Sequence, residues 1–312
     1  MKTFFKTLYR LLLRCIPENR YGDNFIAYIT FLRAHRRPPS DKLLFNDVLY
    51  KIKTTDEIMD PMRVFVSDKE FVKLFVKSVS GDQYNVPTIK VLHTMEEVNG
   101  YPFPSDCCIK PTHLSGEVIL RKQNDPIDFE KINRWFKSSY YHTNREANYK
   151  TLKPKVIVEP LIFGSDNLSD YKIFCYMGKP KLIQVDIDRY IEHTEKFYDP
   201  EWNEMPFSIH FPRSADKQIE KPKNLDTMLE VASSLSSYFN FVRVDLYSND
   251  AECLVGEITN CPGGATGFVE NLYSNGKVSR EGEAGSHRRK MTGFKAPESA
   301  EVIASNIIFG NN

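Results

Sequence analysis

The run Arg243-Val244-Asp245-Leu246-Tyr247 alternates polar and apolar side chains. In a strand this places Arg243, Asp245 and Tyr247 on one face and Val244 and Leu246 on the other. Cys253-Leu254-Val255-Gly256-Glu257-Ile258 reads as a second strand, joined to the first through Ser248-Asn249-Asp250. A hairpin of the two sets Glu257 alongside Asp245. Facing carboxylates repel each other, and a divalent cation relieves that; hard oxygen ligands beside a phosphate-bearing substrate suit Mg2+. Arg243 would then hold transferring phosphoryl oxygens in a bidentate contact. The plainer alternative is a structural Arg243–Asp245 pair with Glu257 at the surface, because a charge on an interior strand needs a partner.

Other segments carry weaker chemical signals. Pro262-Gly263-Gly264-Ala265-Thr266-Gly267 can bring backbone N–H groups close to an anion, or can be a simple turn. Lys110 ends the apolar run Cys107-Cys108-Ile109 and precedes the small polar loop Thr112–Glu117. It can reach phosphate oxygens that the loop covers, or be a solvated strand-end lysine. Asp186-Ile187-Asp188 matches the short D-x-D pattern with which glycosyltransferases hold a metal and a sugar-nucleotide diphosphate. Arg189 and Lys196 follow it and are expected to project towards phosphate or acceptor, with a solvated loop as the alternative. His113, His193, His210 and His287 show no ligand spacing. Trp135, Tyr198 and Trp202 are candidates for a sugar-binding wall, with core packing the better reading of Trp135.

The elements that must position these residues are legible in part. Arg63–Val66 reads as a short strand, and Ser67-Asp68 as the cap of a helix running through Val76 and stopped by Gly81. Val86–Leu92, Cys107–Pro111, Val118–Leu120 and Val156–Glu159 are strand candidates, with helix expected over 126–148. Asp170–Tyr176 and Pro180–Asp186 form a hairpin through Met177-Gly178-Lys179. Residues 190–220 read as a long loop or substrate flap, 224–238 as an amphipathic helix, and the tail beyond 275 as polar apart from a short apolar helix near 299–308.

The bulk properties set limits. Hydrophobic residues make up 41% and aromatics 12%, enough for a sizeable core, and the mean hydropathy of −0.43 suits a soluble globular chain. A net charge of +1 provides no basic field for nucleic acid. The 6 cysteines form no CxxC pair, which argues for reduced thiols in the cytoplasm. No run approaches the length of a membrane span. At the N-terminus Phe4, Phe5, Leu8, Leu11 and Leu12 share a helical face interrupted by Lys2, Lys6, Arg10 and Arg14. That interruption excludes a signal peptide and leaves packing on the body or a partner, or peripheral contact with an anionic membrane.

The ordered series Asp68-Lys69, Ile109-Lys110-Pro111 with its Ser/Gly loop, Val158-Glu159-Pro160-Leu161-Ile162, Arg243-x-Asp245 and Glu257-Ile258-Thr259-Asn260-x-Pro262-Gly263 resembles the ATP-grasp superfamily. It is similar to the arrangement in D-alanine–D-alanine ligases. Through DYKIFCYMGKPKLIQVDIDR, FYDPEW, FNFVRVDLY and GEIT…PGG it most resembles the TupA-like group of polysaccharide and teichuronopeptide biosynthesis, over about residues 40 to 275. The resemblance implies an α+β ATP-grasp fold, with two sheet-containing lobes gripping ATP and a helical N-terminal region. The implied boundaries are 1–60 helical, 61–105 α/β subdomain, 106–160 small lobe, 161–275 large lobe and 276–312 tail.

The resemblance also implies ATP and Mg2+ as cofactors. Lys69 and Lys110 would hold phosphates under the loop containing Ser115 and Gly116. Glu159, Pro160, Leu161 and Ile162 would be the hinge that meets adenine through its backbone. Asp170 would contact ribose, Lys172 the phosphate site, and Asp245 and Glu257 the metal. Arg243 would steady an acyl phosphate, with Lys172 and Arg189 beside it. One departure stands out. The superfamily usually places an asparagine ligand two residues after the glutamate; here that place holds Thr259, with Asn260 next, so either could complete the metal site. The implied reaction joins a carboxylate, from a uronic acid or amino acid on a surface polysaccharide precursor, to the amine of an amino acid. Nucleic acid has no part in it, and the enzyme would work in the cytoplasm or at the inner membrane face. The competing class is a glycosyltransferase using Asp186 and Asp188.

Overall fold

The structure, a computed structural model, describes residues 15–164, 169–187, 193–209, 211–212, 214, 217–267, 270–271 and 300–310. The amphipathic N-terminal face, Asp188, Arg189, His210, His287 and most of the tail lie outside the described residues. No described helix is long and apolar enough to cross a membrane.

The chain enters through α1 (Arg20–His35) and α2 (Phe45–Thr54). Asn19 starts α1 by accepting a hydrogen bond from the Gly22 amide at 3.0 Å. Residues 63–66, expected as a strand, lie instead in α3 (Pro61–Ser67). Asp60 accepts from the Met62 amide at 2.8 Å and Pro61 takes the first helical position. Together these start signals outweigh the β-branched run behind them. Asp60→Ala is expected to lower unfolding stability by about 1 kcal/mol, read as a lower urea midpoint at unchanged slope. The next helix, α4 (Phe71–Val79), follows Asp68, whose carboxylate accepts from the Glu70 amide at 2.9 Å.

A four-stranded antiparallel sheet contains β1 (Lys90–Leu92), β2 (Cys107–Pro111), β3 (Ile119–Arg121) and β4 (Val156–Glu159), in the order β1-β4-β2-β3. Of the expected 86–92 strand only its end is paired, since Pro87 has no amide hydrogen to donate. Two helices pack on this sheet, α5 (Met95–Gly100) and α6 (Phe129–Phe136). Ile109, Ile132, Val156, Val158 and Trp135 form the core between them. The helix expected over 126–148 breaks into α6 and α7 (Tyr140–Asn144).

The larger sheet contains β5 (Ser169–Tyr176), β6 (Lys179–Ile187) and β7 (Thr194–Tyr198). A small ribbon pairs β8 (Phe207–Ser208) with β11 (Glu270–Asn271). After α8 (Leu225–Ser236) come β9 (Phe241–Ser248) and β10 (Cys253–Thr259), and the described chain ends in α9 (Ala300–Phe309). The sheet order is β10-β9-β5-β6-β7, all antiparallel. The β5–β6 hairpin turns at Met177 and Gly178, both with left-handed φ (49° and 75°). The loop expected over 190–220 thus contains a strand, β7.

The two faces of the larger sheet differ in chemistry. Tyr171, Ile173, Val185, Val244 and Leu246 pack against Met228, Ala232 and Leu235 of α8 and Phe75 and Val76 of α4. On the other face, Phe174, Leu182, Phe197 and Phe241 pack under Phe45, Leu49 and the α9 residues Ile308 and Phe309. Burying each such side chain stabilises the fold by about 1.5–3 kcal/mol. The rest of that face is charged. The unit expected over 61–105 is divided, since its helices α3 and α4 serve the larger sheet and β1 the smaller one.

Candidate functional site

The register sets the centre of the site. Asp245 pairs with Glu257 across the β9–β10 ladder, Arg243 with Thr259, and Lys172 of β5 with Asp245 on the other side. A β-bulge between Val255 and Glu257 makes this possible. In an unbroken ladder continued from the turn, Asp245 would pair with Gly256 and Glu257 would point to the apolar face. A side chain at Gly256 would meet the Tyr247 ring at 2.8 Å; with glycine there, the ring lies over the bulge.

The charged groups of this face form one chain of contacts. The Arg243 guanidinium donates from Nε and Nη2 to the two Asp245 oxygens, each at 2.6 Å, and from Nη2 to Thr259 Oγ1 at 3.2 Å. Thr259 Oγ1 donates to Glu257 Oε1 at 3.2 Å. From α4's leading turn, Lys69 Nζ stands 3.9 Å from Glu257 Oε2 and donates to the Leu114 carbonyl at 2.5 Å. That bond ties the loop after β2 to the larger sheet. Burial pushes Asp245 up to about 7 against the pull of Arg243, and the neighbouring Glu257 adds to the rise. Glu257 feels burial as well, yet Lys69, Arg243 and Lys172 hold it down to about 2. Its side chain keeps 33% of its surface open, so it is the carboxylate more available to a ligand.

Further along the same face, Lys172 Nζ donates to Asp170 and, at 2.6 Å, to Asp186 Oδ2. Gln184 donates to Asp186 Oδ1 at 2.7 Å. Asp186 has 3% of its side chain exposed, with Lys172 and Gln184 on its two oxygens. On the smaller sheet, Lys110 Nζ binds Glu159 Oε2 at 2.8 Å while Lys73 Nζ binds Oε1 at 2.7 Å. Burial opposes the charge on Glu159, but these two ammonium groups keep its carboxyl below the ordinary range. Lys110 also stands 5.9 Å from the Tyr247 ring centroid, so the two sheets meet at this point.

The structure thus gathers Lys69, Lys110, Glu159, Asp170, Lys172, Arg243, Asp245, Glu257 and Thr259 between the two sheets. Ser115 and Gly116 are exposed in the turn after Leu114, and Pro160, Leu161 and Ile162 are half-buried directly after β4. Asn260 is not brought to the carboxylates. Its Nδ2 donates to Arg63 O and Ser67 Oγ, each at 3.1 Å, and its Oδ1 accepts from Arg63 Nη1 at 3.0 Å. Both ends of the amide are used in the core, so Thr259 is the one of the pair on the site face. Lys196 is not in the cleft either: it pairs with Val185 on the apolar face and is held by Glu204 at 3.2 Å. Tyr198 and Trp202 stack on each other, with centroids 4.2 Å apart. Lys73 was not singled out from the sequence; its one signal was the four-residue step from Lys69, which is a helical step.

The donor set fits Mg2+. Two carboxylates and a hydroxyl, all hard oxygens, share one face, and Mg2+ is commonly held by one or two carboxylates with substrate phosphates completing the shell. Among the described residues no group of three or more His, Cys, Asp or Glu forms a metal site of its own.

A sequence profile of TupA-like ATP-grasp proteins matches residues 49–274. The chain belongs to this family. Its α+β architecture is therefore the ATP-grasp fold, two sheets facing each other across the charged cleft. No curated protein sequence matches the chain. Among solved structures it is similar to D-alanine–D-alanine ligase from Helicobacter pylori, with 17% identity, coverage of 65% of this chain and 56% of that one, and a TM-score of 0.36. It is also similar to L-amino acid ligase from Bacillus licheniformis, with 15% identity, coverage of 78% and 55%, and a TM-score of 0.41. The TupA-like chain spans little more than half the length of these ligases.

Proposed function

We propose that this TupA-like ATP-grasp protein is an ATP-dependent carboxylate–amine ligase acting through an acyl phosphate. The observation that carries the reading is the bulge-directed pairing of Asp245 with Glu257, with Arg243 and Lys69 converging on the same two carboxylates. Two facing carboxylates set among cations would be relieved by a divalent metal that also meets phosphate oxygens. In the first step a substrate carboxylate oxygen attacks the γ-phosphorus of ATP and ADP leaves. In the second an amine nitrogen attacks the acyl carbon and phosphate leaves with the C–O electron pair. Asp245, Glu257 and Thr259 would hold Mg2+, which supplies charge neutralisation at the phosphates.

The chain's own residues position and stabilise. Lys69 and Lys110 hold phosphate oxygens, and Arg243 turns from Asp245 to the acyl phosphate. Lys172, with Arg189 following its partner strand β6, serves the same charge. Glu159 to Ile162 present backbone to adenine, and Asp170 lies at the ribose position. The substrate class we propose is a uronic acid or amino acid carboxylate on a surface polysaccharide precursor, made in the cytoplasm and amidated with an amino compound; membership of the TupA-like family supports this reading.

A thermal-shift panel tests the reading against the glycosyltransferase alternative. A ligand at a hundred times its Kd stabilises the folded state by about 2.7 kcal/mol. ATP with Mg2+ is expected to raise the midpoint, and UDP- and GDP-sugars with Mg2+ to leave it unchanged. The reverse pattern would overturn the ligase reading.

A further inference from the structure

Glu159 is 4% exposed, and its single carboxylate holds two ammonium groups: Lys73 Nζ at 2.7 Å from Oε1 and Lys110 Nζ at 2.8 Å from Oε2. One of them is enough to neutralise it. The two lysines are not equivalent. Lys73 belongs to α4, and its ammonium also donates to the Val86 carbonyl. Its own carbonyl accepts from Asn85 Nδ2 at 2.9 Å, so main chain and side chain are both fixed. Lys110 ends the apolar part of β2 and stands 5.9 Å from the ring centroid of Tyr247. Tyr247 alternates with Arg243 and Asp245 on one face of β9, so Lys110 is the member of the pair that borders the cleft. Burial lowers the Lys73 ammonium, Glu159 opposes that, and the charge of Lys110 lowers it further. Drawing Lys110 away from Glu159 therefore strengthens the remaining pair.

We propose that Lys73 is a positioning residue for nucleotide binding: it keeps Glu159 paired and thereby releases Lys110 to the phosphates. This rests on the reading of Lys110 as a phosphate ligand. A phosphate at Lys110 competes with Glu159 for the same ammonium. With Lys110 as the sole partner, the exchange would leave a buried carboxylate short of a cation, and removing one partner of a buried ion pair is costly. With Lys73 in place the carboxylate keeps an ion pair throughout. Before the exchange the trio carries one positive charge in excess, which itself favours an incoming anion. Lys73 needs no contact with the nucleotide and acts through Glu159.

Isothermal titration calorimetry of the full chain with Mg2+–ATP tests the assignment through a double-mutant cycle. Lys73→Met is expected to weaken Mg2+–ATP at least tenfold. Adding Glu159→Gln to Lys73→Met is expected to recover at least fivefold, because glutamine neither holds Lys110 as an ion pair nor is left as an unpaired charge. A lysine that only braced α4 against β4 would leave the double variant no better than the single one. That result overturns the proposal, as does wild-type affinity in Lys73→Met, and both leave the ligase reading standing. If Lys73→Met shows no cooperative urea transition, the comparison passes to Glu159→Gln with and without Lys73→Met. There the loss of Lys73 is expected to change Mg2+–ATP affinity by less than twofold, and a tenfold loss overturns the proposal. Failure of the wild-type chain to bind Mg2+–ATP overturns the phosphate role of Lys110 and this proposal with it.

Discussion

Glu257→Gln is expected to lower ligase turnover by about two to three orders of magnitude, with Asp245→Asn giving a loss of the same size. A metal at a transferring phosphoryl group is worth several kcal/mol of transition-state charge stabilisation, and each 1.36 kcal/mol is about tenfold in rate. Either amide halves the carboxylate charge that faces Arg243 and Lys69. The two variants are expected to differ in stability. Glu257 is held down to about 2 by Lys69, Arg243 and Lys172, so Gln removes a charge that all three cations favour and takes from Lys69 its ion-pair partner. Asp245, which burial lifts to about 7, is the costlier of the two to hold charged, so Asn there recovers more of the burial cost. Glu257→Gln should therefore unfold at lower denaturant than Asp245→Asn. Single-turnover ADP release gives the rate, urea titration the stability, and the Mg2+-dependent thermal shift the loss of the metal. Turnover within tenfold of wild type in Glu257→Gln would remove the carboxylate pair from the chemistry.

The carboxylate pair was legible from strand alternation and a short turn, but the reason it works was not. Alternation places Asp245 on a face; it cannot report that Gly256 is bulged out of the ladder, and in an unbulged ladder Glu257 would face the apolar core. The β5–β6 hairpin and α8 were legible because their patterns are regular and their breakers stand at the ends. The Arg63–Val66 strand was misread because its β-branched residues speak for a strand, while the Asp60–Pro61 start that decides the matter lies just upstream. The strand β7 gave no signal because Glu195 and Lys196 are both buried, one accepting from Gln184 and the Ile209 amide and the other paired with Glu204. Buried charges erase the polar-out alternation that marks a strand. Lys73 acquires its role only from a group remote in sequence, Glu159.

The second large effect is a gain in stability. Burial pushes the Glu146 carboxyl up to about 7 from an ordinary 4.5, with Lys53 only partly opposing the rise. Between those values the folded chain holds a proton that the unfolded chain has released, so stability falls as pH rises through the window. Above pH 7 the full penalty applies, about 3 kcal/mol at 1.36 kcal/mol for each pH unit of the window. Glutamine has the same shape and no charge to bury. Glu146→Gln is therefore expected to be more stable than wild type by about 2–3 kcal/mol at pH 8, with the difference largely gone at pH 4.5, read from urea midpoints at the two values. A difference that does not change with pH would show that the carboxyl is not buried in its charged form.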